Sequence, residues 1–177
     1  MLLDVVTVVS VEGEDVWKQT SGFLSKGAKL SSSSPYKDKQ PTDGRILEPV
    51  AFDEYDATPT AKYRVTPADI QEYAQASGDK NPIHVSGIGA KAFGFPAVIA
   101  HGMWSAATML RGLEGVLPSA ARFSVEFAKP VTLPTTVAFF AEAAGDKAYP
   151  RPSEWDLQLR KASNLKTLHA VGKVERI

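Results

Sequence analysis

The chain has 177 residues, with 20 Lys and Arg against 20 Asp and Glu, three His, no Cys and 44% hydrophobic residues. That length suits one domain, or one domain and a piece of another, and balanced charge without a basic stripe argues against nucleic-acid partners. The lack of Cys removes disulfides, thiolate metal sites and Cys nucleophiles. No run reaches the roughly 18 apolar residues that cross a bilayer. The N-terminal MLLDVVTVVSVEGEDV meets Asp4 with no basic flank, unlike a signal peptide. A soluble, cytoplasmic protein without membrane insertion is expected.

Residues 2–11 and Val16 to Leu24 alternate on either side of the Glu12-Gly13-Glu14-Asp15 cluster, which predicts a β-hairpin. Residues 25–50 have linker composition, with Ser31 to Ser34 followed by Pro35, Pro41, Asp43-Gly44 and Pro49. A hairpin alone is marginal in water, so the 1–50 segment is expected to dock on a sheet, with the main domain over 51–177. Thr66-Pro67-Ala68-Asp69 supplies an N-cap hydroxyl, Pro at N1 and an acid at N3, predicting a helix over 67–77 that stops at Gly78. Pro82 then makes 78–85 a loop, and Ala90 to Phe93 a short helical turn.

His101-Gly102 opens the longest helical pattern, with Met103, Ala106, Ala107, Leu110, Leu113 and Leu117 on one side, ending at Pro118. Its small residues Ser105, Ala106, Ala107 and Gly112 would let a sheet approach closely. Strands are predicted over 121–127, 135–143, 154–161 and 165–174, separated by turns at Lys129-Pro130, Pro134, Gly145-Asp146, Pro150, Pro152 and Asn164. One helix followed by four consecutive strands gives an α+β class, an antiparallel sheet wrapped around a long central helix.

Polar residues gather in Ser77-Gly78-Asp79-Lys80-Asn81-Pro82-Ile83-His84, followed by Phe93 and Ile99-Ala100-His101-Gly102-Met103. Asp79 and His84 share one Pro-constrained loop, so a carboxylate and an imidazole could converge on a small ligand such as water. Such a loop serves turn chemistry as well as catalysis, and the residues leave both open. Asn81 before Pro82 reads first as a brace of the loop, and secondly as a substrate contact. Gly102 at a helix start offers N–H groups to negative charge, or merely permits close packing. His169, in the last strand without an acid beside it, reads as a packing or surface residue. Three widely spaced His and no Cys make a metal-activated water a poor alternative.

Taken together, Ser77–His84, Ala92-Phe93 and Ile99–Met103 resemble the signature of the MaoC-like, R-specific enoyl-CoA hydratases, and Phe127-Ala128-Lys129-Pro130-Val131 resembles that family's segment after the central helix. The likeness spans residues 60–177, with one departure at Ser86, where several members carry an acid. It implies a hot dog fold and hydration of trans-2-enoyl thioesters of CoA or acyl-carrier protein to (R)-3-hydroxyacyl products. By the same likeness Asp79 and His84 are the catalytic pair and Gly102 is an oxyanion donor. No cofactor is implied, and a homodimer is. Residues 1–30 resemble the last strands of an incomplete first hot dog unit. The acyl chain, running away from Gly102, is expected near Met103, Trp104 and Ala107. A hot dog thioesterase and a non-catalytic partner subunit are the alternatives.

Overall fold

The computed structural model describes residues 2–24, 47, 49, 57–144 and 152–177, and the chain divides into two compact units, 1–44 and 45–177. Most of the predicted linker, and the turn at Gly145-Asp146 and Pro150, fall outside the described residues. In the first unit β1 (Leu2–Val11) and β2 (Glu14–Leu24) form an antiparallel ribbon. Glu12 and Gly13 have φ of 54° and 89°, the left-handed pair that lets two residues reverse a twisted ribbon. The second strand therefore begins at Glu14, two residues before the predicted Val16.

The second unit contains α1 (Pro67–Ser77), α2 (Pro82–Val85), α3 (Gly87–Ala92) and α4 (Gly102–Arg111). Its strands are β3 (Ala61–Val65), β4 (Ala121–Phe127), β5 (Thr135–Ala144), β6 (Glu154–Lys161) and β7 (Asn164–Arg176), and they pair antiparallel in the order β3-β5-β6-β7-β4. The sheet is the one expected, with β3 added. That edge strand escaped prediction because it has five residues, two of them the outward-facing cations Lys62 and Arg64.

Two helix expectations are corrected. The 78–85 stretch is not all loop: Pro82 stands at the first position of α2, where a missing N–H costs nothing, and the Asn81 side chain caps it. The helix opened by Gly102 ends at Arg111 rather than near Leu117, and is one residue shorter than α1. Helix-like apolar spacing outlasts the helix because Leu113 remains buried from a turn, and Gly115, at φ 83°, carries the chain away.

Burial of apolar surface holds the unit together. Val137, Phe139, Leu157, Leu159, Ala170 and Val174 form the inner face of the sheet, and Ile70, Met109 and Leu113 share that core. Fully burying a large apolar side chain contributes about 1.5–3 kcal/mol. Two glycines set how closely the layers approach. A β-carbon at Gly112 would lie 2.3 Å from the Phe139 ring, and one at Gly172 would lie 2.9 Å from the Met109 methyl. The α4 helix thus rests on the sheet, with its N-terminus at the end where the polar loop returns.

Candidate active site

Thr66 and Asp69 start α1 by exchanging bonds: the Asp69 N–H donates to Thr66 Oγ1 at 3.4 Å, and the Thr66 N–H to Asp69 Oδ2 at 2.7 Å. Donors from Thr66 hold the Asp69 carboxyl below the usual range, side chain first and backbone second. Gly78, at φ 76°, ends the helix in the left-handed region and turns the chain into the polar loop. There three polar side chains each hold a backbone group. The Asp79 N–H donates to Ser77 Oγ, the Asn81 N–H to Asp79 Oδ1 at 3.1 Å, and the Ile83 N–H to Asn81 Oδ1. Asn81 therefore braces the loop, the first of its two readings. Ser86 does likewise further on, its Oγ accepting the Gly89 N–H at 3.1 Å to cap α3.

His84 is buried, and its Nδ1 donates to the Ile99 carbonyl at 2.8 Å. A carbonyl only accepts, so Nδ1 carries the proton and the neutral ring leaves a lone pair on Nε2. Burial pushes His84 below the ordinary histidine range. The Ile99 bond opposes this, nearby His101 adds to it, and Asp79 opposes it. The ring is therefore neutral at pH 7.

His101 lies beside it; the sequence places it before a helix and within the Ile99–Met103 part of the resemblance, without a role of its own. Its ring stacks on His84, with centroids 3.8 Å apart and planes at 27°, and Tyr73 lies 5.0 Å away on centroids. His101 Nε2 donates to the Asp79 carbonyl at 2.9 Å and stands 3.8 Å from Asp79 Oδ2, while Nδ1 has no partner among the described residues. This second histidine thus holds the loop that carries Asp79. Its proximity to His84 depends on the chain returning through Ile99, a tertiary event for which local spacing carried no signal.

Gly102 is the first residue of α4, and His101 before it makes no side-chain cap bond among the described residues, so the cap leaves the leading N–H groups to other acceptors. A β-carbon at Gly102 would meet the Phe127 ring at 3.2 Å. Trp104 is half-buried against the core, whereas Met103 is exposed. Cavities of about 350 and 540 Å³ are lined by other residues.

Ligand atoms of Asp79, His84 and His101 lie within 4.8 Å of one another. Each histidine already spends one nitrogen on a backbone carbonyl, and stacked rings direct their in-plane lone pairs side by side rather than toward one point. The Asp79 carboxylate and His84 are spaced for a water bonded to both, since two bonds of about 2.8 Å span such a gap.

The MaoC like domain family matches residues 53–160. The chain is 43% identical over 160 residues to 3-hydroxyacyl-thioester dehydratase X of Mycobacterium tuberculosis, covering 90% of this chain and 51% of that protein. A crystal structure of HtdX from Mycobacterium tuberculosis superimposes with a TM-score of 0.69 at 39% identity, over 99% of this chain and 62% of that one. The R-hydratase PhaJ1 of Pseudomonas aeruginosa shares the fold, with a TM-score of 0.56 at 24% identity over 65% of this chain and 75% of its own. The chain spans about half the length of that dehydratase. The fold is the hot dog fold implied by the sequence resemblance. No helix among the described residues is long and apolar enough to cross a membrane.

Proposed function

The chain belongs to the MaoC-like domain family, and on that premise we propose that it adds water to trans-2-enoyl thioesters to give (R)-3-hydroxyacyl thioesters, and catalyses the reverse dehydration. The observation that carries the reading is the pairing of a neutral, tautomer-fixed His84 with the Asp79 carboxylate within 4.8 Å. The relative named as a 3-hydroxyacyl-thioester dehydratase supports it.

The chemistry follows from where charge develops. Water held between Asp79 and His84 gives a proton to His84 Nε2 as its oxygen bonds to the β-carbon. The π electrons move through the α-carbon onto the thioester oxygen, and the enolate is quenched when protonated His84 returns that proton to the α-carbon on the same face. The Gly102 N–H, aligned with the α4 dipole, meets the oxygen, and a donor of this kind contributes about 3–4 kcal/mol to transition-state stabilisation. His101 positions Asp79 through the Asp79 carbonyl. Electrons stay within the substrate, so the reaction needs no redox cofactor.

The carrier is CoA or an acyl-carrier protein, the acyl chain runs along Met103 and Trp104, and the working form is a homodimer. The β3 and β4 edges of the sheet support association, because an edge strand presents unpaired backbone groups. Incubation with a trans-2-enoyl-CoA and chiral separation of the product tests the proposal. It predicts the (R)-3-hydroxyacyl thioester. Release of free thiol would mark a thioesterase, and an unchanged substrate a non-catalytic partner.

A further inference from the structure

The Asp79 carboxylate is exposed, and the bonds that curl its loop are local. Ser77 Oγ accepts the Asp79 N–H and Asp79 Oδ1 accepts the Asn81 N–H, each across two residues. Bonds so short fix the shape of the loop without fixing where it stands. The bond from His101 to the Asp79 carbonyl does the second task, reaching across 22 residues of chain. His101 is itself held by backbone on both sides. Its carbonyl accepts the Ser105 N–H at 3.3 Å in the first turn of α4, and the Ala100 N–H before it donates to the Val131 carbonyl at 2.9 Å.

The same ring does more than tether the loop. Its edge carries the Nε2–H that the Asp79 carbonyl accepts, while its face lies on His84 with the centroids 3.8 Å apart. Tyr73 is a third ring in contact, 5.0 Å away on centroids and tilted by 51°. Residues of α1, α2 and the start of α4 thus meet on one side chain, which is only 2% exposed. The protons fit this arrangement. His84 donates from Nδ1 to Ile99 and His101 donates from Nε2 to Asp79, so the two stacked rings hold opposite tautomers. A second proton on His101 would sit on Nδ1, a buried N–H with no acceptor among the described residues, so the arrangement needs one proton on each ring.

A water shared by Asp79 and His84 needs two bonds of about 2.8 Å, and a displacement of about 1 Å by either residue breaks one of them. What sets the gap between the two residues therefore sets the rate. We infer that His101 is the positioning residue of this site: backed by Tyr73, its one ring holds the Asp79 loop by its edge and the His84 ring by its face, and so fixes the gap in which the attacking water stands. The inference rests on the hydratase reading, and it adds to the Asp79 tether a hold on His84 and a backing ring on α1. Neither His101 nor Tyr73 touches the reacting atoms. Both act through the pair.

Two substitutions separate the contacts. His101→Gln keeps an N–H that can reach the Asp79 carbonyl and has no ring face, whereas His101→Phe keeps a face and has no donor. With a trans-2-enoyl-CoA, each should lower kcat about 10- to 100-fold and leave KM little changed, because the pair is displaced while the substrate site is not. Tyr73→Leu should lower kcat by less, and Tyr73→Phe, which keeps the ring, should recover most of that loss. Parent-like kcat in His101→Gln would overturn the hold on His84, and parent-like kcat in His101→Phe the hold on Asp79. A rise in KM at unchanged kcat would overturn both. A Tyr73→Phe as slow as Tyr73→Leu would remove the backing role of the ring. Nuclear magnetic resonance gives a readout that needs no turnover, and the chain has only three histidines to assign. At about pH 8, where histidines are neutral, the long-range proton–nitrogen spectrum of the parent should show two rings protonated on Nδ1, His84 and His169, and one on Nε2, His101. The carbon-bound protons of His84, shifted upfield by the stacked ring, should move downfield in His101→Gln and stay in His101→Phe. Three Nδ1-protonated rings in the parent would overturn the inference whether or not the variants fold, and so would His84 protons indifferent to His101→Gln. The expected spectra from a protein that hydrates nothing would sink the hydratase reading and leave His101 as the holder of the same two residues.

Discussion

One backbone carbonyl sets the chemistry available to His84: by accepting from Nδ1, the Ile99 oxygen leaves Nε2 free to take a proton. Asp79 has an exposed side chain, so Asp79→Asn should lower kcat/KM by about 10²–10⁴-fold with little change in melting temperature. His84 is buried and stacked, so His84→Ala removes packing as well as the base. His84→Asn, whose amide can still donate to Ile99, is the cleaner test and should match Asp79→Asn in lost activity. Protonation gives a second expectation. Because burial lowers His84 from its ordinary value near 6.5, activity should persist as pH falls through that value and fail only below it. Stability behaves differently. The folded protein resists protonating His84 and His169 while the unfolded chain does not, so stability is full above pH 6.5. It should fall as pH drops below that value, until the folded histidines protonate. Melting curves between pH 5 and pH 8 would show this, and His169→Gln should flatten the slope. The closeness of Asp79 and His84 follows from their five-residue separation in the chain, whereas the stacking of His101 on His84 does not show in local spacing, since it arises only when the chain returns past Ile99.

Elements hold their places through close approaches at glycine. At Gly89 a β-carbon would lie 2.6 Å from the Pro82 side chain and 2.8 Å from its carbonyl, so α3 packs directly on the helix that carries His84. Gly89→Ala should therefore lower both stability and kcat, while Gly87→Ala, with open space around it, should do neither. Gly112→Ala would press on the fully buried Phe139 ring and should cost about 1–3 kcal/mol, a fall of several degrees in melting temperature. Differential scanning calorimetry of the three variants checks the ranking. Most elements could be read from the chain: β4 and β6 match their predicted spans, and the Thr66-Pro67 start and Gly78 stop set α1 to the residue. The misses share a cause. Leu113 belongs to the core without belonging to the helix, β3 offers too few residues for its alternation to register, and Pro82 was read as a helix breaker where its place at N1 makes it a helix starter.

At the scale of the molecule, the 45–177 unit carries its own core and every residue proposed for catalysis, while residues 1–44 form a separate compact unit. Deleting residues 1–44 should leave hydration intact and shift the protein toward larger assemblies, if the ribbon covers an edge of a sheet in the working form. Light scattering with activity assays would show it. A truncated protein with unchanged assembly and activity would make the ribbon dispensable, and a well-assembled but inactive one would make it part of the substrate site. In the proposed function Asp79 and His84 activate water for addition to an enoyl thioester. The most direct measurement is the ultraviolet absorbance of a conjugated trans-2-enoyl-CoA after adding the parent protein and, in parallel, Asp79→Asn. The expected result is a catalytic loss of absorbance with the parent and almost none with the variant. An equal loss with both, the variant being folded, would contradict it, and so would no loss with the parent on any trans-2-enoyl thioester.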